Sequence, residues 1–85
     1  MSEQQSFLSM LEREFSRYLL NHDEVAGRIP ANCLIVFQVE GEREFNRWHR
    51  ELSLRHREPS QPLVEIHIRS LRQDSLIEKL DLVAA

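Results

Sequence analysis

Three side chains that can bind ligands or move protons alternate along one apolar stretch of the chain. Glu65, His67 and Arg69 fall on one side of the segment Leu63–Arg69, and the residues that alternate with them are Val64, Ile66 and Ile68. Together they offer an acceptor, a proton shuttle and a cation. The set lacks a nucleophile, a glycine-rich loop and a paired carboxylate. It therefore predicts a solvated strand face, or an ion-pair ladder to a neighbouring strand, rather than a catalytic centre.

Two further histidines complete this candidate polar site. His49 and His56 lie two turns apart on a predicted helix, about 10.5 Å along its axis. One metal ion cannot bridge that distance, because the usual helical pair of ligands is four residues apart. A metal would need Glu65 or His67 as well. We therefore expect structural histidines, with no metal, cofactor or catalytic residue, although a two-fold dimer could bring copies together and make assembly pH-sensitive.

Two arginine patterns raise the alternative of nucleic-acid binding. Arg17 and His22 have the spacing found in a class of helical prokaryotic ribonucleases. Five arginines surround Trp48, and they are Arg43, Arg47, Arg50, Arg55 and Arg57. Residues 41–60 also contain four glutamates, which leaves a net charge of only +1. Nucleic acid is therefore not the expected partner.

Four elements must position these residues. The sequence predicts a helix from a Ser2–Gln5 capping box to near His22, an apolar strand at Cys33–Val39, a helix at Glu42–His56 and an alternating strand at Leu63–Arg69. Glu14 lies off the apolar stripe of the first helix and is expected in solvent. A short C-terminal helix is predicted at Leu76–Leu80, capped by Asp74 or Ser75. The fold class is thus a small α/β domain of α-β-α-β order with a tail helix.

The strand Cys33–Val39 is too apolar to lie at an open edge. Its crossover connection to the next strand predicts a parallel pair, and two parallel strands alone make a poor sheet. We therefore expect a homodimer that completes a four-stranded sheet. The candidate contacts are Leu54, Leu76, Ile77, Leu80 and Leu82. The alternative is a monomer whose tail covers the edge.

Composition bounds the class of protein. The 85 residues are 41% hydrophobic and 29% charged, which predicts one globular domain, with residues 1–70 as core and 71–85 as a tail helix and contact arm. The net charge of −3 gives no drive toward nucleic acid or acidic lipid. A single cysteine, Cys33, excludes an internal disulfide. No signal peptide or membrane-spanning stretch is recognised, so the expected location is the cytoplasm.

Two segments resemble a family of short bacterial and archaeal proteins catalogued as a domain of unknown function. The first runs from Phe15 to His22 and continues at Ile29–Asn32, and the second is Arg57–Val64. The resemblance covers about residues 7–70 and includes the helix that carries Phe45 and Asn46. Asp23 stands where that family commonly has proline. The resemblance implies no activity and no catalytic residue.

These observations favour a non-catalytic interaction or regulatory module that acts through protein–protein contacts, of the antitoxin-like or accessory-subunit kind. The alternative is a small nucleic-acid-binding protein or nuclease that uses the arginine-rich helix with Arg17 and His22.

Overall fold

The computed structural model describes residues 2–71 and 77–84. Its elements are α1 (Glu3–Leu20), α2 (Asp23–Ala26), β1 (Leu34–Val39), α3 (Arg43–Arg55), β2 (Leu63–Leu71) and β3 (Ile77–Ala84). The predicted capping box is present, since the Ser2 hydroxyl accepts from the Gln5 amide and the Gln5 side chain accepts from the Ser2 amide. None of the described helices is long and apolar enough to span a membrane. The α/β fold class is confirmed.

The three strands form one mixed sheet in the order β1-β2-β3. β1 and β2 pair in parallel, as their crossover through α3 predicts, with Phe37 opposite Ile66. β2 and β3 pair antiparallel, with Ile66 opposite Leu82. Because β2 has a strand on each side, its main-chain hydrogen bonds are met within one chain.

The predicted C-terminal helix is wrong, because residues 77–84 form strand β3. The helix prediction relied on the spacing of Leu76 and Leu80 and on a cap at Asp74 or Ser75, and positions 74–76 lie outside the described residues. Residues 80–83 also alternate. Leu80 and Leu82 lie beside Ile68 and Ile66 on the core side of the sheet, and Asp81 and Val83 point to the other side. The second edge of β2 needs a hydrogen-bonding neighbour, and that tertiary demand overrides the weak local helical pattern.

The core lies between α1 and one face of the sheet. Leu11 and Phe15 of α1 are buried with Phe37, Ile66 and other strand residues. The rings of Phe15 and Phe37 meet edge to face, with centroids 5.6 Å apart. The amphipathic stripe predicted for α1 therefore packs as expected.

The outer edge of β1 is closed by α3. The amides of Leu34 and Glu40 donate to carbonyls at the β2 side, so alternate residues such as Val39 point their N–H and C=O groups away from β2. Asn46 of α3 satisfies both groups, because the Val39 amide donates to Asn46 Oδ1 at 2.8 Å and Asn46 Nδ2 donates to the Val39 carbonyl at 2.9 Å. A dimer through β1 edges, as the sequence suggested, would have to displace this helix.

Replacing Asn46 tests how strongly this closure stabilises the fold. The substitution Asn46→Ala leaves two main-chain groups without partners, so the free energy of unfolding should fall by about 1–3 kcal/mol. Asn21→Ala is the matched control, because the exposed Asn21 amide donates only to the Arg17 carbonyl, and its effect should be clearly smaller. Urea denaturation of both variants measures the difference. Equal losses in the two variants would contradict the closing role of Asn46.

Candidate functional site: the open face of the sheet

The predicted polar trio lies together on the sheet face opposite α1. The Arg50 guanidinium reaches from α3 to Glu65, and His67 Nε2 lies 3.8 Å from the other Glu65 oxygen. Arg69 pairs with Asp81 on β3, Nε to Oδ2, at 2.9 Å. Glu65 and Arg69 therefore belong to ion pairs that link α3, β2 and β3, and His67 lies between them on the same face. We call the surface formed by Gln38, Glu65, His67, Arg69, Asp81 and Val83 the open face; Val36 and Leu63 lie on the same side of the sheet but are buried.

A cleft of about 260 Å³ lies at the carboxyl ends of the parallel strands. Its polar lining residues are Gln38, Glu40, Asn46, His67 and Arg69. Gly41 forms the turn beside it with a positive φ of 87°, a conformation that disfavours other residues. Crevices at this end of parallel strands are common ligand sites. Amide, imidazole and guanidinium groups can bind a polar partner here, and the residues that line the cleft include no serine, threonine or cysteine nucleophile.

His49 is separate from this site, because it is buried at the junction of α3 and β1. Its side chain is held among Phe37, Phe45 and Trp48, with ring centroids 5.7, 5.6 and 6.4 Å away. The residue is 6% exposed, and neither ring nitrogen has a hydrogen-bond partner of good geometry among the described residues. Burial lowers the pKa of His49 below its usual 6.5, and the nearby Ile35 main chain opposes the shift only in part.

The histidines are not assembled into a metal site in the described part of the chain. His56 is exposed at the end of α3, whereas His49 points into the core and His67 lies on the open face. No group of three or more potential ligands is present among the described residues.

The arginines of α3 do not form one free basic patch. Arg47 pairs with Glu51, Arg50 pairs with Glu65, and Arg57 donates to the Gln61 carbonyl. Arg43 and Arg55 are exposed. Trp48 packs on the core beside Phe45 instead of offering a free stacking surface. Of these five arginines, Arg47 and Arg50 are therefore neutralised by a carboxylate.

Arg17 and His22 each contact a neighbouring residue of α1. The Arg17 guanidinium lies 3.5 Å from Glu14 Oε1. The His22 ring stacks on Tyr18 with centroids 3.7 Å apart, and its Nδ1 lies 2.8 Å from the Tyr18 carbonyl. Both side chains therefore contact residues in the C-terminal half of α1. Glu14 corrects the sequence analysis, because it is 5% exposed rather than solvated, and the arginines at 13 and 17 lie over it.

The candidate interface residues divide into two sets. Leu54 is 42% exposed on α3. Ile77, Leu80 and Leu82 pack against the core from β3 but stay only partly buried. Leu76 lies outside the described residues. Sequence reasoning did not find Gln38 and Asn46, since a single glutamine or asparagine carries no pattern that indicates a role at a strand end.

The fold and site define a small α/β domain with a three-stranded mixed sheet, covered by helix on one face. The chain belongs to a family of unknown function (DUF5647), which matches residues 3–80. The resemblance seen in the sequence is thereby confirmed. No curated protein and no solved structure matches the chain.

The buried state of His49 predicts a pH-dependent stability. Its folded-state pKa is lowered, so the unfolded chain binds a proton that the folded chain does not. The contribution of neutral His49 to the free energy of unfolding should therefore be fully present above about pH 6.5 and should be lost as the pH drops below that value. Urea midpoints at pH 7.5 and 5.5 measure the loss. His49→Phe should reduce it, while His56→Gln, at an exposed position on the same helix, should leave it in place. A loss that is unchanged in the His49 variant would contradict this assignment.

Proposed function

We propose that the protein is a non-catalytic interaction module, of the accessory-subunit or antitoxin-like kind, that binds a partner protein on its open face. The observation that carries the proposal is the asymmetry of the sheet. The core contacts of α1 lie on one face, whereas the other face leaves Arg69, Asp81 and Val83 exposed. Non-obligate protein interfaces combine apolar and polar groups in this way.

The chemistry of the open face favours binding over catalysis. Its charged groups are matched in pairs, Arg50 with Glu65 and Arg69 with Asp81. Charged groups at an interface give specificity and orientation more than affinity. Val83, 37% exposed, supplies an apolar contact beside them. The cleft at Gln38 and His67 offers a recess for one partner side chain, which is the usual form of an interface hot spot.

Cytoplasmic residence belongs to the same proposal. Its support is the free Cys33, which lies partly buried just before β1.

A single charged substitution on the open face tests the proposal. Gln38→Lys places a second cation beside His67 and Arg69, within the cleft lining. Affinity for the partner should fall by about tenfold or more. Immobilised wild-type and variant chains are exposed to an extract of the cells that express the protein, and retained proteins are quantified by mass spectrometry. The best candidate is then purified, and its dissociation constant is measured.

The matched control is Ser16→Lys, which adds the same charge on the exposed side of α1. This variant should retain the partner as the wild type does. If no protein distinguishes Gln38→Lys from Ser16→Lys, the open face is not a protein-binding surface. Retention of the wild type on heparin that weakens steeply with salt would instead favour the nucleic-acid alternative.

A further inference from the structure

We infer that two copies of the chain associate through the outer edges of β3, which pair antiparallel about a two-fold axis to form one six-stranded sheet. This inference goes beyond the proposed function, because it uses the edge of the sheet and not the open face. It names the partner at that edge as a second copy of this chain.

The two edge strands of the sheet differ in whether another element lies against their outer side. At β1, Asn46 occupies both main-chain groups of Val39, and α3 lies against the edge. At β3, the only strand neighbour in the order β1-β2-β3 is β2, and no other described element pairs with its outer side. An uncovered edge strand presents unpaired N–H and C=O groups that bind another strand. The protected edge and the uncovered edge thus lie at opposite ends of one sheet.

The side chains of β3 indicate a missing neighbour as well. On β2, Ile66 and Ile68 are 0% and 1% exposed. Their partners across the ladder, Leu82 and Leu80, pack on the same core but are only partly buried. A further strand beside β3, with its own leucines on the same face, would remove this apolar surface from water.

Two-fold symmetry restricts how β3 can pair with its copy. An axis perpendicular to the sheet runs the strands antiparallel and keeps both core faces on the same side. Residues that lie directly opposite each other must then point to the same face of the sheet. The axis therefore passes between one residue of β3 and the same residue of the second copy. The central candidates are positions 79, 80 and 81.

Charge decides between these registers. An axis at Asp81 places two aspartates opposite each other, and an axis at position 79 does the same for two lysines. Like charges directly opposite are destabilising. An axis at Leu80 places Lys79 opposite the aspartate at 81 of the second copy, twice. This is the register that we propose.

The geometry has a consequence for α1 and for the open face. Both copies of α1 lie on the same side of the six-stranded sheet, because the axis keeps the core faces together. Both open faces lie on the other side and form one continuous surface. A dimer would therefore present two copies of the proposed binding face in a fixed orientation, which favours bivalent binding.

A charge reversal tests the dimer and its register together. Lys79→Asp leaves the Arg69–Asp81 pair in place but sets two aspartates against the aspartates at 81 in the proposed register. Light scattering of the wild type at about 0.1 mM chain should give about twice the chain mass of 10.1 kDa. The dissociation constant should rise by about tenfold or more in Lys79→Asp. Arg43→Glu, the same change of charge on exposed α3, should leave it within about twofold.

The double variant Lys79→Asp with Asp81→Lys restores opposite charges across the axis but removes the Arg69–Asp81 pair within each chain. It should recover dimerisation, with circular dichroism to confirm that it remains folded. A monomeric wild type would overturn the dimer. A dimer that withstands Lys79→Asp, or that Arg43→Glu weakens equally, would overturn this register. Neither outcome affects the proposed function, which depends on the response of a partner to Gln38→Lys. If Gln38→Lys bound the partner as the wild type does, the proposed function would be wrong and the dimer would be unaffected.

Discussion

The structure depends on how the main-chain hydrogen bonds of the sheet are completed. A strand pairs on two sides, and any amide or carbonyl left without a partner away from water destabilises the fold. β2 receives strands on both sides from its own chain. β1 receives β2 on one side and, at Val39, the Asn46 side chain on the other. The position of α3 follows from this demand, and with it the burial of His49 and the reach of Arg50 to Glu65.

Much of the helical and parallel-strand architecture could be predicted from local patterns. The capping box at Ser2 and Gln5, the apolar stripe of α1 and the alternation in β2 are each set by residues close in sequence. β3 could not be assigned in the same way. Its leucines allow either a helical or a strand spacing, and only the bare edge of β2 selects the strand.

Only part of the candidate site could be predicted from the sequence, for a similar reason. Alternation placed Glu65, His67 and Arg69 on one face, and the ladder to Asp81 followed the predicted kind of pairing. The contributions of Gln38, Asn46 and Arg50 depend on where a crossover helix lies relative to a strand. That placement is a property of the whole sheet. Glu14 shows the same limit, since helical periodicity assigned it to water while the packing around α1 buries it.

The strand order has a consequence for how the chain acquires its structure. β1 and β2 are neighbours in space but are separated in sequence by the whole of α3. β2 is the central strand, yet it is synthesised after α1, β1 and α3, and its second neighbour follows it. The apolar faces of α1 and β1 must therefore wait for a late segment before they can be buried. Non-local pairing of this kind slows folding and leaves strand edges exposed until it is complete.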